Sequence, residues 1–169
     1  EAKIMKGIEF KKEGGGRFAL GEILPVAREI KARLLKLKGV EAVELAGSLR
    51  RWQETIGDVD ILAISEEPKK ICDYFVKMPE VQHVYAHGDT KVLVRLNPPA
   101  GGGIDADLRV VPKESFGAAL QYFTGNKDHN VEVRKISIKK GYKLNEYGLF
   151  RGKKIIAAHT EEEIYKKLG

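Results

Sequence analysis

Cysteine is nearly absent from this sequence: Cys72 is the only one in 169 residues. One thiol excludes an internal disulfide framework and supplies too few ligands for a zinc ribbon, so burial of apolar surface has to hold the fold. Cys72 itself is expected as a small buried hydrophobe. Long apolar runs are missing too. No stretch approaches the roughly 20 residues of a membrane span, and Glu1-Ala2-Lys3-Ile4 does not begin a signal-peptide core. The expectation is a soluble, cytoplasmic protein. The first residue is Glu1 rather than Met, which suggests a segment of a longer chain. Internal repeats are lacking, and low complexity is confined to the glycine runs at 14–16 and 101–103.

What the chain does carry is a positive balance, +6 with an isoelectric point near 9.3, and 43% hydrophobic residues. That is enough apolar material for one good core or two small ones. A basic surface suits polyphosphates, although solvated lysines give the same composition, so motifs must decide.

Residues 1–16 read as an N-terminal extension or linker because glycines close it. From Gly21 to about Lys38, Ile23, Leu24, Ala27, Ile30, Leu34 and Leu37 recur at helical spacing, with Pro25 tolerated only near the first turn. Runs at 40–45, 59–64, 81–87, 91–96 and 104–111 read as strands, the third and fourth joined by a Gly88-Asp89 turn. A short helix is expected over 68–78. Beyond Pro112 the chain turns mostly helical, over 114–123 and 128–140. A hairpin at 142–156 follows, then a last helix opened by Thr160 with Glu163 three residues on. The fold class is α+β, a mixed sheet with flanking helices over 17–112 and a smaller α+β unit over 113–169.

Asp58 and Asp60 stand two apart on a strand, so both carboxylates project from one face. Asp107 alternates with Ala106 and Leu108 on another strand and joins them if the strands are neighbours. Three carboxylates on one patch repel unless cations neutralise them, and hard oxygen donors suit Mg2+ or Mn2+. A lone Asp-x-Asp is often ordinary strand-end charge; its company raises its meaning. Gly47-Ser48 directly after a strand offers backbone N–H groups and a hydroxyl, and Arg51 adds a cation, together a cradle for a triphosphate. Two metal ions clamping an in-line attack need little further protein chemistry. The histidines, His83, His87, His129 and His159, are scattered and read as surface or packing residues.

The segment Gly47-Ser48-Leu49-Arg50-Arg51-Trp52-Gln53-Glu54-Thr55-Ile56-Gly57-Asp58-Val59-Asp60 resembles the palm signature of family X DNA polymerases in the nucleotidyltransferase superfamily. The likeness continues at Asp107-Leu108-Arg109-Val110-Val111-Pro112, at Leu120-Gln121-Tyr122-Phe123-Thr124-Gly125-Asn126 and at Leu144-Asn145-Glu146-Tyr147-Gly148-Leu149. It covers about residues 17–168. It implies that Asp58, Asp60 and Asp107 are catalytic metal ligands, with Asp107 helping to activate a primer 3′-hydroxyl. Gly47, Ser48, Arg51, Gly57 and Arg17 would contact the triphosphate. Tyr122, Phe123 and Gly125 would lie against the incoming sugar and base, and Asn130 would touch the base from the minor-groove side. Arg109, Arg134 and Tyr147, with Lys139 and Lys140, would face DNA. The implied partners are a DNA primer-template and a dNTP, and the implied reaction is transfer of dNMP with release of pyrophosphate, of a gap-filling or repair type.

Departures from the pattern are Asn126 where serine is usual, Lys127 where an aspartate stacks on the base, and Asp105 as a fourth carboxylate where some relatives are basic. Asp105 either perturbs its neighbour or faces solvent. Trp52 is expected to pack rather than stack. Neither a helix-hairpin-helix nor a metallophosphoesterase pattern is found, so DNA grip would fall to this chain's own basic residues. Two other readings are a transferase acting on RNA ends, proteins or small molecules, and a weakly active nucleic-acid-binding fragment.

Overall fold

A computed structural model describes residues 16–169; most of the extension expected over 1–16 lies outside the described residues. Among them, no helix is long and apolar enough to cross a membrane.

The first element pair is a short strand, β1 (Phe18–Ala19), running into α1 (Leu20–Leu35). The Glu22 carboxylate accepts from the Ala19 N–H at 2.9 Å, which fixes the start of α1 and leaves Pro25 in its second turn. Strand β2 (Val40–Leu45) leads into a single helical turn, α2 (Gly47–Arg50), where the sequence suggested only a loop. Then come β3 (Thr55–Ile56), β4 (Asp58–Ser65), α3 (Pro68–Phe75), β5 (Val81–His87), β6 (Lys91–Leu96) and β7 (Ile104–Val111). The strand pair β1–β3 is unexpected; two residues are too short for a periodicity to register.

The main sheet runs β2-β4-β7-β6-β5, with β4 and β7 parallel and the other pairs antiparallel. Its alternation is clean in β7, where Ile104, Ala106, Leu108 and Val110 are buried and the residues between them are not. One face packs on α1 and α3 in a single cluster that holds Ile23, Ile30, Leu34, Ile71 and Phe75 with Val59, Ile61, Val94 and Leu108. Cys72 belongs to that cluster, fully buried as expected, and desolvation pushes its thiol up to about 11. On β4 the other face carries Asp58 and Asp60 at one end and the buried Leu62 and Ile64 beyond them.

After a turn of 3-10 helix at Lys113–Ser115, α4 (Phe116–Thr124) and α5 (Lys127–Lys139) precede a three-stranded sheet, β8 (Lys143–Asn145), β9 (Gly148–Arg151) and β10 (Lys154–Ala157). The hairpin expected over 142–156 is therefore a three-stranded meander. The closing helix, α6 (Glu161–Leu168), begins where the Thr160 hydroxyl accepts from the Glu163 N–H at 3.2 Å, as the sequence pattern predicts. A second, smaller cluster of Ala118, Val133, Leu144, Leu149, Ala157, Ala158, Ile164 and Leu168 sits among these elements. Gly117 makes that packing possible, since a Cβ there would lie 2.3 Å from Thr160 Cα.

Candidate active site

Parallel pairing puts Asp58 opposite Asp105 and Asp60 opposite Asp107, so four carboxylates form a square on the sheet face away from α1 and α3. The same face carries cations, because antiparallel pairing sets Lys91 opposite Arg109 and Arg95 opposite Asp105. Lys91 Nζ lies 3.3 Å and Arg109 Nε 3.4 Å from the Asp107 carboxylate. Asp107 Oδ1 is nevertheless buried without receiving a hydrogen bond. Asp105 is neither a free solvent charge nor a direct partner of Asp107: the buried Arg95 guanidinium holds it at 2.9 Å and reaches the Gly102 carbonyl at 3.1 Å.

Asp60 feels its surroundings most. Burial, then the charges of Asp58 and Asp107, push its carboxyl up to about 7, while Arg51 and Arg109 pull the other way. Gly47 approaches it closely: with φ of +55°, a Cβ at that position would fall 2.0 Å from Asp60 Oδ2, so any side chain there would displace the carboxylate. The Ala46 N–H donates to the Asp60 carbonyl at 2.9 Å and ties the turn to the strand. Ser48 is buried, and its Oγ has no protein partner. Among the described residues, no three acidic, histidine or cysteine side chains converge on a point that would hold a metal as they stand. Lys91 and Arg109 beside Asp107 occupy the neighbourhood that a cation would share.

Beside this square is an open cleft of about 320 Å³ lined by Arg17, Gly47, Ser48, Arg51, Asp58, Asp60, Tyr122, Phe123, Gly125, Asn126, Lys127 and Asn130. Nearly all the residues that the sequence assigns to nucleotide binding thus meet in one place. Gly57 is next to the cleft rather than in it, with Arg17 close above: a Cβ on Gly57 would lie 3.0 Å from Arg17 Nη1. Arg17 is oriented by Thr55, donating to Oγ1 at 2.7 Å and to the carbonyl at 2.6 Å. Tyr122 and Phe123 meet edge to face at 5.1 Å.

A second hollow of about 170 Å³ groups Arg109, Phe123 and Tyr147, with the Arg109 guanidinium 4.7 Å from the Phe123 ring centre and Tyr147 56% exposed. Arg134 is exposed on α5 and donates to the Asn130 carbonyl at 3.1 Å. Lys139 and Lys140, exposed at the end of α5, line neither hollow.

Arg50, which reaches the site through Thr124, carries no sequence signal of that contact, unlike its neighbour Arg51, the cation of the expected cradle. Arg50 and Arg51 are adjacent, so on a helical turn they point about 100° apart. Arg51 bonds the Thr124 carbonyl and faces the cleft. Arg50 forms a fork on Glu161 at 2.7 and 2.6 Å and donates to Thr124 Oγ1 at 2.6 Å. Both arginines bind the first cluster's elements to the second's, and the 111-residue separation of Arg50 from Glu161 hides the pair from local reading. Trp52 departs from expectation: it is 64% exposed at φ +54°, with Arg28 5.9 Å from its ring rather than a packed pocket around it.

The family model "DNA polymerase beta thumb" matches residues 119–169. The "DNA polymerase/3′-5′ exonuclease PolX" of Bacillus subtilis is 33% identical over 171 residues, covering 100% of this chain and 30% of that protein. The chain therefore spans less than a third of that relative's length. The "Repair DNA polymerase X" of African swine fever virus, isolate Pig/Kenya/KEN-50/1950, is 32% identical over 152 residues, covering 85% of this chain and 84% of the viral protein. Among solved structures, the Leishmania infantum polymerase beta ternary P/T complex superposes with a TM-score of 0.83 at 22% identity, over 99% of this chain and 78% of that one. Its ternary gap complex gives 0.84 at 20% identity, over 100% and 72%.

Proposed function

The chain belongs to family X of the DNA polymerases, and we propose that it is a DNA-directed DNA polymerase core that adds dNMP from a dNTP to a primer 3′-hydroxyl and releases pyrophosphate. The observation that carries this reading is the pairing of Asp60 with Asp107 across parallel strands, at the edge of a cleft that also holds Ser48 and Arg51.

Asp58, Asp60 and Asp107 fit a site for divalent ions. All three are hard oxygen donors on one face, and burial together with the charges of Asp58 and Asp107 raises the Asp60 carboxyl, a cost that a bound cation would offset. Magnesium or manganese bound there would neutralise charge on the phosphoryl group in transfer and on the departing pyrophosphate. The remaining work falls to the protein. Arg51 and Arg17 bring positive charge to the triphosphate, and the buried Ser48 hydroxyl, without a protein partner, is left to donate to a phosphate oxygen. Asp107 stands beside Asp60, where an arriving 3′-hydroxyl would lose its proton, and Lys91 and Arg109 hold the carboxylate in place. Tyr122, Phe123 and Gly125 form the wall for sugar and base, and Asn130 reaches the base edge.

The division into a palm over 17–112 and a nucleotide-closing subdomain over 113–169, with its boundary at Pro112, is supported by the two separate buried clusters. Primer-template DNA would run across the hollow at Arg109 and Tyr147 and along the α5 side that carries Arg134, with Lys139 and Lys140 adding salt-dependent phosphate contacts. A gap-filling or repair role fits this reading.

The test is extension of a labelled primer with each dNTP singly in magnesium, manganese and EDTA, beside Asp107→Ala. Extension directed by the template base, and lost in EDTA and in the variant, is the expected result. Untemplated addition, or transfer to RNA ends or small molecules only, would overturn the assignment in favour of another nucleotidyltransferase.

A further inference from the structure

Gln121 is a buried polar residue that the proposed mechanism does not use. It lies on the inner side of α4, 3% exposed, among Ala118, Ala119 and Gly117. A glutamine in such a place is costly unless its amide is bonded. Its Nε2 donates to Asn130 Oδ1 at 2.8 Å, and Asn130 Nδ2 in turn donates to the Tyr122 carbonyl at 2.7 Å. The Tyr122 carbonyl can only accept, so it fixes which end of the Asn130 amide is nitrogen; Gln121 then engages the oxygen end. Tyr165, whose hydroxyl meets His129 Nε2 at 2.8 Å, also interacts with the Gln121 side chain and backs it from α6.

The consequence is chemical. With its oxygen engaged by Gln121 and one amide proton by Tyr122, the Asn130 amide is held in one orientation, and its second N–H is the donor left for the cleft it lines. We propose that Gln121 is a positioning residue that fixes the Asn130 amide so that its free N–H is held ready for the incoming nucleotide, favouring a minor-groove acceptor on its base. Purines offer N3 and pyrimidines O2 on that edge, so one oriented N–H accepts all four correct bases without distinguishing them. This rests on the polymerase reading above, and it assigns to Gln121 a role in substrate recognition without contact to substrate.

Replacing the amide by a carboxylate reverses the arrangement. An ionised glutamate at 121 can only accept, and a charge-assisted bond from Asn130 Nδ2 is roughly twice as strong as the neutral one to Tyr122. The Asn130 amide then turns, and its oxygen faces the base acceptor. An apolar residue of similar size instead removes one of two clamps and leaves the amide free to rotate.

The experiment is single-nucleotide insertion opposite template thymine with dATP and with 3-deaza-dATP, in which C–H replaces the minor-groove acceptor. The wild-type chain should use the analogue with kcat/KM about tenfold lower, the loss of one hydrogen bond. In Gln121→Glu, kcat/KM for dATP should fall by about 10- to 100-fold, mainly through KM, and the two nucleotides should become equivalent. Gln121→Met should keep the fold and show a ratio between those limits. If Gln121→Met retains the wild-type ratio, or if the Gln121→Glu ratio does not move toward one as pH rises and the buried carboxyl ionises, Gln121 does not orient Asn130. If Asn130→Ala retains it, Asn130 does not read the base. A wild-type chain that inserts nothing against the template would instead defeat the polymerase reading. The Asn130 side-chain amide resonances of the free protein supply a readout without turnover: slow rotation and exchange in wild type, fast in Gln121→Met. Identical behaviour in both would overturn the proposal.

Discussion

The two clusters of this chain differ in size, in composition and in what holds them in place. Beneath the five-stranded sheet, large side chains such as Phe75, Ile30, Leu34 and Leu108 are fully buried between strands and two helices. The second cluster has eight buried members, three of them alanine, and its Ile164 and Leu149 are its only large side chains that are completely covered. The carboxylates belong to the first, on two central strands whose backbones are hydrogen-bonded on both sides. The cleft's opposite wall, Tyr122 to Asn130, belongs to the second and is tied across by Arg50 and Arg51. Such a division suits catalysis, because charge that must be pre-organised sits on the rigid part. The wall that would admit and release a nucleotide in the proposed reaction sits on the part with the smaller buried cluster.

The sharpest way to break the comparison is to strip the rigid part of its charge. Asp107→Ala should lower template-directed extension by about 10³-fold, the upper range for loss of a charge-stabilising group, while leaving the melting temperature unchanged or higher. A large loss of stability instead would mean that the carboxylate is structural, held for Lys91 and Arg109.

Truncation in the smaller cluster should be felt locally. Ile164→Ala should cost about 3 kcal/mol and raise amide exchange over residues 116–168 far more than in the main sheet. Cys72 provides an internal clock for the other cluster, since its buried thiol is labelled only when the sheet domain opens. Equal acceleration of Cys72 labelling in Ile164→Ala would show one cooperative unit instead of two.

Next in size is the tie between them. Arg50→Ala removes a fork on Glu161 and a bond to Thr124, and should raise KM for dNTP about tenfold with little change in kcat. Arg50→Lys should restore little, because an ammonium cannot make both carboxylate contacts. Full activity in Arg50→Lys would reduce the contact to simple charge pairing.

The same thiol gives a pH prediction for the larger cluster. Desolvation raises the folded Cys72 value from 9.0 to about 11, above that of the unfolded chain. Its contribution to stability is therefore complete below about pH 9 and is lost as pH rises toward 11. Cys72→Ala should flatten the decline of the melting temperature over that window, and an unchanged slope would assign the decline to other groups.

What sequence made legible follows the range of the physics involved. Strands with period-two burial, such as β7, and the capping of α6 by Thr160 are local and were readable. So was the shared face of Asp58 and Asp60, since two residues along one strand settle it. The register that sets Asp60 beside Asp107 is not local, and neither is the Arg50–Glu161 fork. Gln121 escaped for another reason: its neighbours in sequence are aromatic and apolar, and only the folded α4–α5 pair gives its amide a partner. Trp52 was misread because an indole in a signature loop is expected to find cover, whereas here it ends a helical turn in left-handed backbone.

That tryptophan yields the smallest predicted effect and tests the rigid region at its rim. At φ +54°, a bulky side chain costs about 1 kcal/mol or more relative to glycine, which adopts this conformation freely. The 64% exposed ring returns little by burial, and the Arg28 contact at 5.9 Å contributes about 0.5 kcal/mol at an exposed site. Trp52→Gly should therefore raise stability by about 0.5 kcal/mol and leave dNTP affinity unchanged, because the ring does not line the cleft. A clear loss of stability would mean that the Arg28–Trp52 contact braces the α2 turn, and the rim would then belong with the parts that set the position of Arg51.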